Sequence, residues 1–198
     1  MIIGISGIST SGKSTIANFL QEKLQAKIFS LDDYFAVLSL PRAELNGQEI
    51  GDWDLPESID WDTFLSDLDS CTSPLIIVEG FLLFGNETLH SRIDALINIE
   101  FTEDDFQIAL ERRIERGFHS SPPKNWEEEP IADKISFSCL YFKKFVWERA
   151  LKHPEYRCPA AWNRPRLVLS ATSELGTNCA LALEFAQNLK PRRKCCVQ

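Results

Sequence analysis

The chain has 198 residues, of which 44% are hydrophobic and 25% charged, and its formal net charge is −8. That length supplies one well-buried core and is too short for two ordinary domains, and the composition is that of a globular chain rather than a disordered one. The negative balance denies it the broad basic face that a nucleic-acid backbone requires and leaves room only for a local cationic pocket of nucleotide size.

The first predicted element is a strand over the apolar run Met1 to Ile5, and it feeds the densest motif in the chain. Gly7, four intervening residues and then Gly12-Lys13-Ser14 have the spacing of a P-loop. Glycines let the backbone turn tightly enough for successive N–H groups to cradle phosphate oxygens at a helix N-terminus. The candidate ATP contacts are therefore Gly7, Ser9, Thr10, Ser11, Gly12, Lys13, Ser14 and Thr15. Lys13 would reach the β- and γ-phosphates, and the Ser14 hydroxyl would face Mg²⁺. Ile16, Phe19, Leu20 and Leu24 follow at helical spacing, which completes the strand, loop and helix order the motif needs. A Rossmann site fits less well, because the glycine spacing is wrong and a lysine follows the last glycine.

Lys27 to Leu31 predicts a second strand that delivers Asp32-Asp33-Tyr34-Phe35 at its C-terminal end, the edge where open parallel sheets bind ligands. A carboxylate there, across from the P-loop, can take the proton of an attacking hydroxyl. Asp33 is the candidate, against the alternative that the pair only caps a turn. Residues 36 to 52 read as a loop, with turns at Pro41 and Asn46-Gly47. Trp53-Asp54 follows: an aromatic that can stack on a flat ring beside an acid that can accept two sugar hydroxyls. The alternative makes Trp53 core and Asp54 a helix cap. Pro56 suits the first turn of a helix whose inner face is Trp61, Phe64, Leu65 and Leu68.

Pro74 to Phe84 is the most apolar run and predicts a central parallel strand buried on both faces. Within it Glu79 matches a Walker-B carboxylate for Mg²⁺. A strand over Ala95 to Ile99 precedes a helix from about Thr102 that turns Phe106, Ala109, Leu110 and Ile114 inward. That helix gathers Arg112, Arg113 and Arg116 near its C-terminal end, where guanidiniums can close over transferring phosphate and sugar. Residues 117 to 130 are Ser/Pro-rich and then acidic, as a lid or exposed connection would be. Ile131, Ile135, Cys139, Phe142, Val146 and Ala150 trace one long amphipathic helix explained by core packing. The last strand, Arg166 to Leu169, leads into a polar loop, Ser170 to Ser173, whose Thr172 is placed to touch an adenine. A helix from about Asn178 to Leu189 ends an alternating α/β fold.

The cysteines up to Cys179 are scattered without metal-ligand spacing and read as free thiols, and no apolar run approaches the length of a membrane span. The expectation is one domain over residues 1–189, a lid at about 112–130, and a basic tail over 190–198, in a cytoplasmic monomer. Cys195-Cys196-Val197-Gln198 has the form of a prenylation box at Cys195 but carries Cys196 where a plain aliphatic belongs, so the expected tail bears no lipid.

Taken together, Ile3 to Thr15, Asp32 to Phe35, Trp53-Asp54 with Pro56-Glu57, and Ile77 to Phe84 resemble the nicotinamide riboside kinase family, within the uridine kinase-like P-loop kinases. The resemblance implies a P-loop kinase fold with a five-stranded parallel sheet flanked by helices and a small lid. It implies ATP, with Mg²⁺, phosphorylating a nucleoside 5′-hydroxyl, here nicotinamide riboside to nicotinamide mononucleotide. By motif, Asp33 looks like the base, with Lys13 and Arg113 as catalytic groups and Ser14 and Glu79 as the magnesium groups. Asp54 and Arg113 look like the ribose-diol ligands, Trp53 and Phe118 sandwich the base, Phe35 lies beside the acceptor, and Arg112 and Arg116 are lid arginines meeting ATP. Tyrosine is common in the family where Trp53 and Phe118 stand. Uridine or cytidine is the alternative acceptor, but uridine-cytidine kinases carry a pyrimidine-reading histidine in their middle section. This chain has only His90, His119 and His153. A GTPase-type switch is excluded by the missing Asn-Lys-x-Asp and Asp-x-x-Gly elements. A catalytically silent nucleotide-binding module would not need acid, lysine and arginines together.

Overall fold

Short runs of Ile, Val and Leu too apolar to face water on either side pair into one five-stranded parallel sheet. The structure is a computed structural model and describes residues 1–118, 134–153 and 156–190, the side chain of Phe118 excepted. The sheet strands are β1 (Ile2–Ser6), β2 (Lys27–Ser30), β5 (Ile76–Gly80), β6 (Ala95–Glu100) and β7 (Arg166–Ser170), in the order β2-β5-β1-β6-β7. The middle place belongs to β1, and β5, expected as a central strand buried on both faces, lies between β2 and β1 with all five residues buried.

The alternation of side chains divides the core between the two faces. Ile3, Ile5, Ile77, Ile97 and Leu169 meet α1 (Lys13–Leu24) and α7 (Leu175–Asn188) on one side. Ile76, Val78 and Leu96 meet Phe64 and Leu68 of α2 (Trp61–Ser70) and Leu89 of α3 (Glu87–Arg92) on the other. A third cluster joins Ala109, Leu110 and Ile114 of α4 (Phe106–Phe118) to Cys139 of α5 (Lys134–Tyr141) and to Phe142, Val146 and Trp147. The cysteines among the described residues are free thiols.

Several local expectations are corrected. The loop over residues 36 to 52 contains an antiparallel hairpin, β3 (Arg42–Leu45) with β4 (Gln48–Gly51). Its turn is Asn46-Gly47, both at positive φ (49° and 77°), the geometry a tight hairpin needs. Only Leu45 of these strands is buried, so the sequence lacks the apolar alternation that announces a strand. Pro56 opens a separate 3₁₀ turn, and α2 starts at Trp61, with Asp60 capping the Thr63 amide at 3.0 Å. The short α3 was not expected; Asn86 caps it through the Leu89 amide at 3.0 Å. The last helix begins at Leu175 rather than Asn178. The long amphipathic helix is interrupted: α5 widens into a π-helical turn over Phe142–Trp147 before α6 (Glu148–Lys152).

Because all five strands point the same way, their C-terminal ends share one edge. That edge carries the P-loop after β1, the acidic turn after β2, Glu79 in β5 and the Ser170–Ser173 loop after β7. Residues 119–130 of the expected lid and 191–198 of the tail, with Cys195, lie outside the described residues. No helix among the described residues is long and apolar enough to cross a membrane.

Candidate active site

The P-loop begins where β1 runs out of room for side chains. A Cβ on Gly7 would stand 2.8 Å from the Ile99 carbonyl oxygen, so only glycine fits there. The Ser11 amide then closes a turn onto the Ile8 carbonyl at 3.2 Å, and Gly12, at φ 96°, leads into α1. Lys13 opens α1 only 5% exposed, with no hydrogen bond or ion pair to any described residue. A buried ammonium is costly unless an anion meets it, which fits a phosphate site.

Beside it the Ser14 hydroxyl donates to Glu79 Oε1 at 3.0 Å, and the Ser30 hydroxyl donates to the same oxygen at 2.7 Å. Ser30 lies opposite Glu79 in the β2–β5 register, which is why two strands converge on one carboxylate. Glu79 Oε2 is buried without a hydrogen-bond partner among the described residues. No cluster of three His, Cys, Asp or Glu side chains occurs among the described residues. The hydroxyl and carboxylate present nevertheless fit Mg²⁺, which takes one or two protein oxygens and fills its shell with water and phosphate.

Three hollows run side by side across this edge. The first, about 480 Å³, is lined by Thr10, Ser11, Gly12, Arg112, Asn178 and the 171–175 loop with Thr172. The second, about 200 Å³, lies over Gly12, Lys13, Ser14 and Thr15 with Thr10, Arg112 and Arg116. The third, about 270 Å³, is bounded by Ser9, Lys13, Asp32, Phe35, Trp53, Asp54, Phe81, Arg113, Arg116, Tyr141 and Val146. Arg112 belongs to the first two, and Lys13 and Arg116 to the last two, so the three form one trough over the P-loop. A further cavity of about 490 Å³ opens beside Ile8 and the loop after β6, and Gly7 is the one candidate residue that lines it.

The structure thus separates the arginines expected as a group. The Arg112 guanidinium donates to the Ala171 carbonyl at 2.8 Å and lies over the Phe101 ring, which fixes it at the outer end of the trough. Arg113 faces the third hollow, and Arg116 spans the second and third. Asp32 and Asp33 occupy the 3₁₀ turn Leu31–Tyr34, both exposed; Asp32 lines the third hollow and Asp33 is not among its lining residues. Phe118 ends α4, but its side chain lies outside the described residues.

Trp53 is not core: it is 37% exposed and meets the Phe35 ring edge-on, with centroids 5.1 Å apart. Asp54 caps no helix. Its carboxylate, 7% exposed, accepts a hydrogen bond from the Tyr141 hydroxyl at 2.8 Å, and that hydroxyl accepts from the Trp53 amide at 3.0 Å. Burial pushes the Asp54 carboxyl up to about 7; the Tyr141 hydrogen bond opposes the rise, the charge on Asp52 adds to it, and Arg149 and Arg113 oppose it. Asp52 itself is 1% exposed and forms a bidentate pair with Arg149, at 2.7 and 2.5 Å.

Ser30, Asp52, Tyr141 and Arg149 were not singled out in the sequence. Ser30 immediately precedes the turn that carries the two acids, and that position at the C-terminal end of a strand could have suggested it. Tyr141 and Arg149 sit in a helix whose apolar spacing is fully explained by packing, and nothing in that spacing sets them apart.

No protein-family model matches the chain. Human nicotinamide riboside kinase 1 is 32% identical over 182 residues, covering 81% of this chain and 80% of its own. The nicotinamide riboside kinase of Eremothecium gossypii is 24% identical over 190 residues, covering 75% of this chain and 73% of its own. The uridine kinase of Schizosaccharomyces pombe is 27% identical over 143 residues, but these cover 58% of this chain and 31% of its own. Among solved structures, a putative fructose transport system kinase from Silicibacter superposes with a TM-score of 0.55 at 17% identity, covering 84% of this chain and 89% of its own. A gluconokinase from Sinorhizobium meliloti superposes with a TM-score of 0.53 at 13% identity, covering 93% and 91%. The fold is that of the P-loop kinases.

Proposed function

This chain belongs to the nicotinamide riboside kinase family, and we propose that it transfers the γ-phosphoryl group of ATP to the 5′-hydroxyl of nicotinamide riboside, yielding nicotinamide mononucleotide and ADP. The observation that carries the reading is the pair Lys13 and Arg116, which line both the hollow over the P-loop and the hollow holding Trp53 and Asp54. Cations shared by two adjoining sites are where a group crossing between them gathers negative charge.

In this reading the adenine end of ATP lies against Thr172 and Arg112, and the main-chain amides from Ser9 to Thr15 hold its phosphates. Ser14 and Glu79 would hold Mg²⁺, which would neutralise charge on the phosphates. Asp54 and Arg113 take the ribose hydroxyls, and Trp53 and Phe35 supply aromatic surface for the base, Phe118 being the family's second stacking position. A cationic nicotinamide ring suits that surface better than a neutral pyrimidine, because aromatic faces attract cations. Asp33 accepts the 5′-hydroxyl proton as the oxygen–phosphorus bond forms and the bond to the β-phosphate oxygen breaks. Most of the acceleration comes from holding the two substrates in line, with no covalent enzyme intermediate.

The uridine kinase similarity supports a second reading, with uridine or cytidine as acceptor. ADP release measured with nicotinamide riboside, uridine, cytidine and no acceptor separates them. The expected result is a kcat/KM for nicotinamide riboside at least about tenfold above either pyrimidine, the discrimination that roughly 1.4 kcal/mol of differential binding gives. A preference for uridine, or ADP release indifferent to the acceptor, would overturn the proposal.

A further inference from the structure

The Asp54 carboxylate has a task that its surroundings oppose. To accept two hydroxyl hydrogen bonds it must be ionised, yet it is 7% exposed, and a second carboxylate, Asp52, lies two residues away and 1% exposed. Two buried acids so close would suppress each other's charge unless something compensates. The compensation comes from the helical segment that sequence periodicity assigns wholly to packing.

Tyr141 donates to Asp54 Oδ2 at 2.8 Å and takes the Trp53 amide at 3.0 Å, so one phenol fixes both members of the Trp53-Asp54 pair. Arg149 neutralises Asp52 through two hydrogen bonds and also donates to the Asp54 carbonyl at 3.2 Å. Between them Phe145 packs on both, its ring 5.0 Å from that of Tyr141 and 4.7 Å from the Arg149 guanidinium carbon. The π-helical turn tightens this alignment. In an unbroken α-helix residues eight apart stand about 80° out of line, and a widened turn that absorbs one residue reduces the offset to about 20°. The widened turn, Phe142–Trp147, lies between Tyr141 and Arg149.

We propose that Tyr141, with the Asp52–Arg149 ion pair, is a positioning device that favours the ionised form of the Asp54 carboxylate against its burial and aims it at the acceptor's ribose; it rests on the nucleoside-kinase reading above. The groups that face Asp54 are Tyr141 from α5, Arg149 from α6, Arg113 from α4, Asp52 from its own segment, and Tyr156 beyond α6. Tyr141 and Arg149 act through Asp54 rather than on the reacting atoms.

Tyr141→Phe removes one hydroxyl and keeps the ring against Phe145. The expected result is an acceptor KM raised about tenfold, the value of one hydrogen bond to a charged group, with the KM for ATP unchanged. The acid limb of kcat/KM for the acceptor should also move to higher pH, because losing a donor makes the carboxylate easier to protonate. A pH limb that stays in place with the acceptor KM unchanged, or an equal loss toward ATP and acceptor, would overturn the proposal. Arg149→Gln should move the limb the same way, and Arg149→Lys, which restores the charge, should return it. If Arg149→Gln does not fold, Tyr141→Phe and Arg149→Lys still decide. A wild-type enzyme that phosphorylates no nucleoside would instead remove the reading on which the device depends. Normal wild-type turnover with an unaltered Tyr141→Phe profile would remove the device alone.

Discussion

Replacing Asp33 with alanine is expected to lower kcat for nucleoside phosphorylation by about 10²- to 10⁴-fold, the span associated with loss of a general base, while ATP still binds. Leu31, fully buried, pins the turn at the end of β2 and so fixes where its two acids stand. In so tight a turn consecutive side chains diverge, and the two acids are assigned different tasks. Asp32, on the wall of the hollow that holds Asp54 and Arg113, is expected to act on acceptor binding, so Asp32→Ala should raise the acceptor KM more than it lowers kcat. Turnover and nucleotide affinity measured on both variants check this. Near-normal turnover in Asp33→Ala together with a collapse of kcat in Asp32→Ala would move the base by one residue.

Lys13→Ala is expected to weaken both ATP binding and transfer, lowering kcat/KM for ATP by about 10³-fold, the scale on which a group stabilising transition-state charge contributes. The fold should not suffer. Lys13 is 5% exposed without an ionic partner among the described residues, so its removal strands no carboxylate and lifts the cost of burying an ammonium. Thermal unfolding of the variant should occur at or above the wild-type temperature. A lower unfolding temperature with intact turnover would mean that the lysine serves the fold and not the phosphate.

The parts of the site that could be read from sequence are those that local rules dictate. A P-loop needs glycines where a Cβ would collide, as at Gly7 against Ile99, and that demand leaves a pattern in the chain. Glu79 was legible because a charged residue inside a fully apolar strand contradicts its surroundings unless it has a task. What was not legible depends on tertiary placement. The convergence of Ser14 and Ser30 on one carboxylate oxygen depends on β2 pairing with β5, which no residue of either strand announces. The same holds for the order of the strands, which sets β1 between β5 and β6 and leaves β2 and β7 at the edges. The β3–β4 hairpin escaped because its strands bury a single residue, leaving only Asn46-Gly47 as a signal. Tyr141 and Arg149 escaped because core packing accounts for the apolar spacing of their helix, and their partners Asp54 and Asp52 lie 87 and 97 residues away in the chain.

In the proposed reaction the two substrates meet across Lys13. A crystal structure with a non-hydrolysable ATP analogue, Mg²⁺ and nicotinamide riboside tests that most directly. The ribose 5′-oxygen is expected in line with the γ-phosphorus at about 3–3.5 Å, the near-attack distance, with the sugar hydroxyls on Asp54 and Lys13 against the phosphates. A nucleoside seated instead beside Ile8 and the loop after β6, or held away from Asp54 with the analogue in place, would contradict it.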